Sequence, residues 1–250
     1  MSKFIKSLAV ISALAIFATG FTSCKNDEDN DSNTSTVNTG FEGTYYNINV
    51  INKLKTVAGE NDIPYAQCSV EEVIFKKDGT GTYKIHQMEY DSEDGRQRFN
   101  LTESFNYTKS EKTLKFTVQN DEMEFSIESK DNEDKLVCEN DDREYDKGEI
   151  EEIYAYLNIE SSSKTATSKV IILGKGDSAN IRNLVTNFYD FQQGQTIEDE
   201  KKEATYTKSG ASISFKKKNT GAELPGGTIS TDEDSGITYL KIGEEEYRKL

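Results

Sequence analysis

The sequence lacks several residue types on which common enzyme chemistry depends. Among 250 residues it has no tryptophan, two prolines, three cysteines and one histidine, His86. One histidine and no Cys-x-x-Cys pair argue against most catalytic triads and against a structural zinc site. No nucleophile elbow, P-loop or His-Glu-x-x-His motif is present either. The sequence therefore predicts a protein that is not an enzyme and needs no metal or cofactor; a carboxylate pair is the catalytic alternative that remains open.

Positive charge is also scarce. The chain has 30 lysines and arginines against 45 aspartates and glutamates, a formal net charge of −15. Proteins that bind nucleic acid or dock on anionic lipid carry basic patches, so both classes of partner are argued against.

The first residues have the three parts of a secretory signal. Lys3 and Lys6 precede an uncharged segment, 7–23, that ends in small residues. A spanning helix needs about 20 predominantly apolar residues, so this segment is better explained as a signal peptide over residues 1–23. We expect the protein to be exported.

Cys24, directly after that segment, resembles the lipobox cysteine of bacterial lipoproteins. The resemblance implies that Cys24 becomes the new amino terminus, carries acyl chains such as palmitate and ties the protein to a membrane. The residues behind it resemble the acidic export signal of Bacteroidota surface lipoproteins, which implies an outer-membrane, cell-surface location; a plain solvated linker is the alternative. That signal consists of Lys25, Asn26, Asp27, Glu28 and Asp29. Residues 24–40 have too little apolar surface to pack and are predicted to form a disordered tether.

From residue 41 onward, apolar residues alternate with polar ones between short turns. Leu114, Phe116 and Val118 form one such run, and it is followed after a turn by Met123, Phe125 and Ile127. This period of two predicts consecutive β-hairpins. The pattern gives about eight short strands in 41–147.

The second half of the chain repeats the first. Residues 107–110 (Tyr-Thr-Lys-Ser) recur at 206–209, Phe116 recurs as Phe215, and Glu144-Tyr145 is echoed by Glu246-Tyr247. Val73-Ile74-Phe75 is matched to Val170-Ile171-Ile172. The repeat predicts a tandem duplication, with chance similarity among Tyr/Thr/Lys-rich hairpins as the alternative. Because closure removes exposed edges, the predicted fold is all-β: two tandem antiparallel meander barrels, 41–147 and 148–250.

Gly43-Thr44-Tyr45 and the hairpin from Phe75 to Gly81 resemble the lipocalin-like domains of Bacteroidota lipoproteins. Tyr45 stands where that family has tryptophan, and the second repeat lacks the Gly-x-aromatic signature. The resemblance implies a calyx-shaped barrel that holds a small apolar ligand. Candidate ligand-binding residues are the inward aromatics, for which core packing is the alternative use: Tyr45, Phe75, Tyr83, Phe105 and Phe116.

Cys68 and Cys138 each lie in a strand-like run, in a compartment that permits disulfides. Their spacing does not fix the separation of their Cα atoms, so a bridge and a pair of buried free thiols both stay open.

Together these features predict a lipid-anchored outer-membrane or cell-surface protein that acts as a non-catalytic binding module. Its ligand would be a small apolar molecule or a glycan. The alternative is a protein-interaction role, as an adhesin or an inhibitor of a secreted protease, through the hairpin loops. The membrane is the expected partner through the lipid anchor.

Overall fold

The computed structural model describes residues 41–56, 62–91, 93–110, 112–130, 133–188 and 194–250. Every regular element in these ranges is a β-strand, which confirms the predicted all-β class. They belong to one compact unit, Thr39–Leu250. The predicted signal peptide, Cys24, the acidic export signal and the tether lie outside the described residues.

The first sheet has nine antiparallel strands. They are β1 (Gly43–Lys55), β2 (Ile63–Phe75), β3 (Thr80–Asp91), β4 (Gly95–Asn106), β5 (Thr108–Lys109), β6 (Thr113–Val118), β7 (Asp121–Lys130), β8 (Glu133–Cys138) and β9 (Arg143–Lys147). Their order in the sheet is β4-β3-β2-β1-β9-β8-β7-β6-β5. The chain thus meanders outward on each side of the β1–β9 pair.

The second sheet is a closed barrel of eight antiparallel strands in chain order. They are β10 (Ile150–Glu160), β11 (Thr165–Gly174), β12 (Ser178–Asn187), β13 (Gln195–Ser209), β14 (Ser212–Lys217), β15 (Glu223–Thr231), β16 (Thr238–Ile242) and β17 (Glu245–Lys249). Pairing of Tyr154 with Lys249 and of Ala155 with Arg248 closes it.

The first sheet curls without closing, so the prediction of two closed barrels holds fully only for the second. In the barrel, β13 continues unbroken and pairs with β14 from Ala204 to Ser209. In the first sheet, the corresponding strand stops at Asn106, and β5 pairs with β6 through two residues only. The seam between β4 and β6 is filled by stacked rings of Phe105 and Phe116 rather than by a backbone ladder.

The internal repeat has a clear structural counterpart with one correction. Tyr107 N–H donates to the Gly79 carbonyl at 3.0 Å, and Tyr206 N–H donates to Asp177 in the matching turn at 2.9 Å. The match of Val73 to Val170 is wrong by one residue, because Val73 belongs to the first sheet's inner cluster whereas Val170 packs on the barrel's outer face. Ile171, which faces inward, takes the place of Val73.

The two sheets pack back to back. Outward side chains of β1–β3 and β10–β12 form a shared cluster that includes Val50, Val70, Leu157, Val170 and Ile172. Among these strands β11 is covered on both faces and is apolar at every position from Val170 to Leu173, as expected of a strand buried on both sides.

A half-buried amide crosses this contact. Asn52 Nδ2 donates to the carbonyls of Ala166 and Leu184 at 2.8 and 3.0 Å, and Ser168 Oγ donates to Asn52 Oδ1 at 2.6 Å. Both ends of the amide are thus satisfied by the barrel.

Candidate functional site: a polar cleft between the two sheets

The five aromatics predicted to bind ligand all face the interior of the first sheet and belong to one cluster. Each is at most 6 % exposed. The rings of Phe105 and Phe116 stack with centroids 3.9 Å apart, and Phe75 meets them edge-on at 5.8 and 5.9 Å. These rings pack against one another, which is the core-packing use named as the alternative.

A glycine makes this stacking sterically feasible. A Cβ added at Gly81 would lie 2.3 Å from two ring atoms of Phe105. Phe105 and Gly81 are directly paired across β3 and β4, so the ring covers the glycine. Size complementarity across the strands therefore fixes the ring's position.

A buried carboxylate caps the aromatic cluster. Glu71 Oε2 accepts hydrogen bonds from the hydroxyls of Tyr83 and Tyr145, both at 2.7 Å, and Arg143 donates to Oε1. Burial, followed by the charge of Glu71, raises the pKa of Tyr145 well above its ordinary value. Each group has its partner within this network, so the arrangement supports the interior and offers no poised acid or base.

The barrel has an ion pair at the matching place, with the signs exchanged. Lys169 Nζ donates to Glu245 Oε1 at 2.6 Å, and the Tyr247 hydroxyl donates to Glu245 Oε2 at 2.7 Å. Lys169 takes the position of Glu71, and Glu245 that of Arg143.

Cys68 and Cys138 are free thiols. Cys68 lies in the cluster between the sheets, whereas Cys138 lies in the inner cluster of the first sheet. Since they are on opposite faces of that sheet, the structure holds no bridge between them. Burial raises the pKa of Cys68 to about 12 and that of Cys138 to about 11, which keeps both protonated near neutral pH.

A polar cleft of about 400 Å³ opens where the chain passes from β9 to β10. Both sheets contribute to its walls. The residues that matter most to its chemistry are Tyr46, Asp146, Gly148, Asn180, Glu203 and Lys218.

The Tyr46 hydroxyl joins the two sheets in this cleft, because Asn180 Nδ2 on the barrel donates to it. Burial, reinforced by the charge of Asp146, raises the pKa of Tyr46 to about 12. The hydroxyl consequently stays neutral at physiological pH. It can act as a hydrogen-bond donor as well as an acceptor.

Charges of both signs surround the cleft. Asp146 lies 2.8 Å from Lys201 Nζ and 3.6 Å from Lys135 Nζ, and Glu203 lies 3.1 Å from Lys218 Nζ. Such a lining supplies donors and acceptors and is more polar than apolar. It suits a ligand with many hydroxyl groups better than a lipid.

Sequence reasoning missed this cleft, since its walls come from strands far apart in the chain. The available signal was at Tyr46: next to inward Tyr45 on a strand, it has to face outward.

In the described part of the chain, no three His, Cys, Asp or Glu side chains are grouped to hold a metal ion. Nor does any described helix have the length and apolarity to span a membrane. In comparisons with known proteins, no family model, curated protein or solved structure matches this chain.

Proposed function

We propose that this protein is an exported, lipid-anchored binding protein that does no catalysis, and that the cleft between its sheets holds a short glycan. The observation that carries the proposal is the cleft itself: about 400 Å³, walled by both sheets and lined with hydroxyl, amide, carboxylate and ammonium groups. Sites that bind small molecules combine a concave surface with a few convergent polar groups.

The anchoring part of the proposal rests on the sequence. A signal-like segment ends directly before Cys24, and the acidic residues that follow Cys24 resemble a surface-export signal. A lipidated Cys24 would hold the protein at the outer membrane, on the cell surface. A surface location gives a glycan-binding cleft access to external saccharides.

The interior of the first sheet favours a glycan over an apolar ligand. The five candidate aromatics bury one another, and Glu71 with its three hydrogen-bond donors caps them. An apolar ligand would have to displace a stacked ring pair. Hydroxyl groups of a sugar, in contrast, can pair with the carboxylates of Asp146 and Glu203 at the cleft.

Calorimetric titration of the full-length protein in detergent with a panel of mono-, di- and trisaccharides tests this proposal. We expect Asp146→Asn and Glu203→Gln each to weaken binding about tenfold, because a hydrogen bond to a charged group contributes about 1.5–3 kcal/mol. Glu223→Gln is the matched control, since Glu223 is 70 % exposed and does not line the cleft.

The variant Phe116→Leu distinguishes binding in the cleft from binding inside the first sheet. It changes the first sheet's interior only, so saccharide affinity should not change. Binding that is weakened by Phe116→Leu but not by the cleft variants would contradict the proposed site, and no saccharide binding at all would contradict the proposed function.

A protein-interaction role remains the second candidate, and one observation favours it. In the described part of the chain β4 pairs with β3 alone, so the stretch of its other edge away from the Phe105–Phe116 seam has backbone groups available to a partner strand.

A further inference from the structure

The contact between the two sheets has two opposite edges, which we call its margins. The cleft lies at one of them. There, β1 and β9 meet β12 and β13, through Tyr46 with Asn180 and Asp146 with Lys201. At the other margin β3 and β4 meet β10 and β17. Arg96 Nη2 on β4 donates to the Leu157 carbonyl on β10 at 3.0 Å, which fixes this second meeting.

Arginine is concentrated at this second margin. The chain has five arginines, and three of them lie here: Arg96, Arg98 and Arg248. Arg98 is paired with Met88, and Arg248 with Ala155, and both of these partners belong to the buried cluster between the sheets. Burial and the nearby charge of Arg248 lower the pKa of Arg98, so the two guanidinium groups repel each other.

The two margins differ in how they balance charge. Asp146 and Arg248 hold matching places, each on the last strand of its sheet and paired with the first. Asp146 has lysine partners from both sheets. For Arg98 and Arg248, no salt bridge is formed with any carboxylate of the described residues, although the protein has an excess of acids.

Two polar side chains beside Arg98 and His86 already have partners. With its oxygen turned toward Arg98, the Asn100 amide accepts from Nη2 at 2.9 Å. Glu72, whose charge acts on His86, accepts from Lys84 at 2.5 Å. Two buried nitrogen atoms, Nε of Arg248 and Nδ1 of His86, have no hydrogen-bond partner among the described residues.

We infer that Arg98 and Arg248, with His86 beside them, form a binding site for an oxyanion: the carboxylate, sulfate or phosphate group of a ligand. Guanidinium groups bind such groups with two parallel hydrogen bonds, which makes arginine the preferred residue for this recognition. The bound anion would take the role that carboxylates play at the other margin. This site is separate from the proposed glycan cleft, and neither depends on the other.

Thermal unfolding of the full-length protein in detergent tests the site, with sodium phosphate, sulfate or acetate titrated at constant ionic strength against chloride. We expect a saturable rise of the unfolding temperature with at least one of the three, and the one that acts identifies the class of anion. Arg98→Gln and Arg248→Gln should each weaken the apparent affinity about tenfold. Arg182→Gln is the matched control, because Arg182 already pairs with Asp199.

A second readout separates binding from a purely structural role. Without added oxyanion, Arg98→Gln should unfold at the same or a higher temperature than the unmodified protein, because it removes a repulsion. The inference fails if none of the anions acts beyond chloride, if Arg182→Gln weakens the effect equally, or if Arg98→Gln destabilises the anion-free protein. The saccharide titration reports on the cleft independently.

Discussion

In the first sheet the inward ion pair runs from Glu71 on β2 to Arg143 on β9, whereas in the barrel it runs from Lys169 on β11 to Glu245 on β17. Each pair spans the strand that lies between its two members. In both pairs a tyrosine of the last strand donates to the carboxylate, although the carboxylate is on β2 in the first sheet and on β17 in the barrel. The position therefore requires opposite charges but not a particular sign on either strand.

The interiors also differ in the size of one cross-strand pair. The first sheet has Gly81 opposite Phe105, and the barrel has Ala179 opposite Ala204 at the matching place. Where the alanines lie, β13 reaches β14 and the barrel closes. Where the large ring lies, it stacks on Phe116 and occupies the seam. The closed and the unclosed sheet thus differ in how side-chain volume is divided across these strands.

The largest effect is expected from breaking the first ion pair. Glu71→Lys would place two buried cations together and leave two tyrosine hydroxyls without their acceptor. We expect it to lower the free energy of unfolding by about 3–5 kcal/mol. Adding Arg143→Glu recreates the barrel's arrangement and should restore part of this loss; the recovery is partial because Tyr83 stands where the barrel has Ile181, which has no hydroxyl.

Denaturant unfolding measures both variants. Glu124→Lys is the control, because Glu124 pairs with Lys115 in a partly exposed salt bridge on the outer face, and such pairs contribute about 1 kcal/mol or less. An additive outcome, with no recovery in the double variant, would show that the sign of the pair is fixed after all.

A smaller effect is expected from the glycine. Gly81→Ala forces a methyl group into the Phe105 ring and should cost about 1–3 kcal/mol, the usual range for overpacking. In a Phe105→Ala background the same change creates the alanine pair of the barrel and should cost less, with the remaining cost coming from the Ile74 carbonyl oxygen 2.6 Å from the added Cβ. A double-mutant cycle measures this coupling. Phe125→Ala, which leaves the Phe105 ring in place, should give additive free energies with Gly81→Ala; equal coupling in both cycles would refute the steric explanation.

The smallest effect concerns acid stability. Glu152 takes the barrel position that Gly43 holds in the first sheet. Burial alone would raise the pKa of Glu152, but hydrogen bonds from Lys208, Lys249 and Tyr154 outweigh it and lower the pKa below its ordinary value. The ionised carboxylate therefore stabilises the folded state above the ordinary glutamate range, and this contribution disappears as the pH falls through the lowered pKa.

Accordingly, Glu152→Gln should cost about 1 kcal/mol at neutral pH and progressively less in acid. Unfolding free energies measured between pH 3 and pH 8 check the trend. Glu223→Gln, on an exposed side chain, should show a small difference at every pH. A Glu152→Gln cost that grows in acid would mean that folding raises the pKa of Glu152 instead of lowering it.

Local patterns in the sequence were sufficient to predict the strands and their inward faces. The alternation at Leu114, Phe116 and Val118 predicts β6, and the five aromatics were correctly predicted to face inward. The missing ladder between β4 and β6 was not predictable in this way, because Gly81 and Phe105, which lie at that seam, meet only after β3 and β4 pair. The same holds for Tyr46 with Asn180 and for Arg98 with Arg248, which come together only when the two sheets pack.

Part of the packing between the sheets could have been predicted from the sequence. Val170-Ile171-Ile172-Leu173 is apolar at every position, which a strand with one solvated face would not be. Because an alternating strand was predicted there, the buried outer face was missed. The repeat was misaligned by one residue for the same reason.

Asn52 helps to fix the position of the barrel relative to the first sheet. A contact made of aliphatic side chains alone gains similar energy in several translated positions, because the hydrophobic effect has no direction. The amide of Asn52 needs two carbonyls and one hydroxyl at fixed places, and sliding the barrel along the first sheet would leave these partly buried groups without their partners. This single polar side chain therefore favours one relative position of the two sheets over the others that apolar surfaces alone would allow.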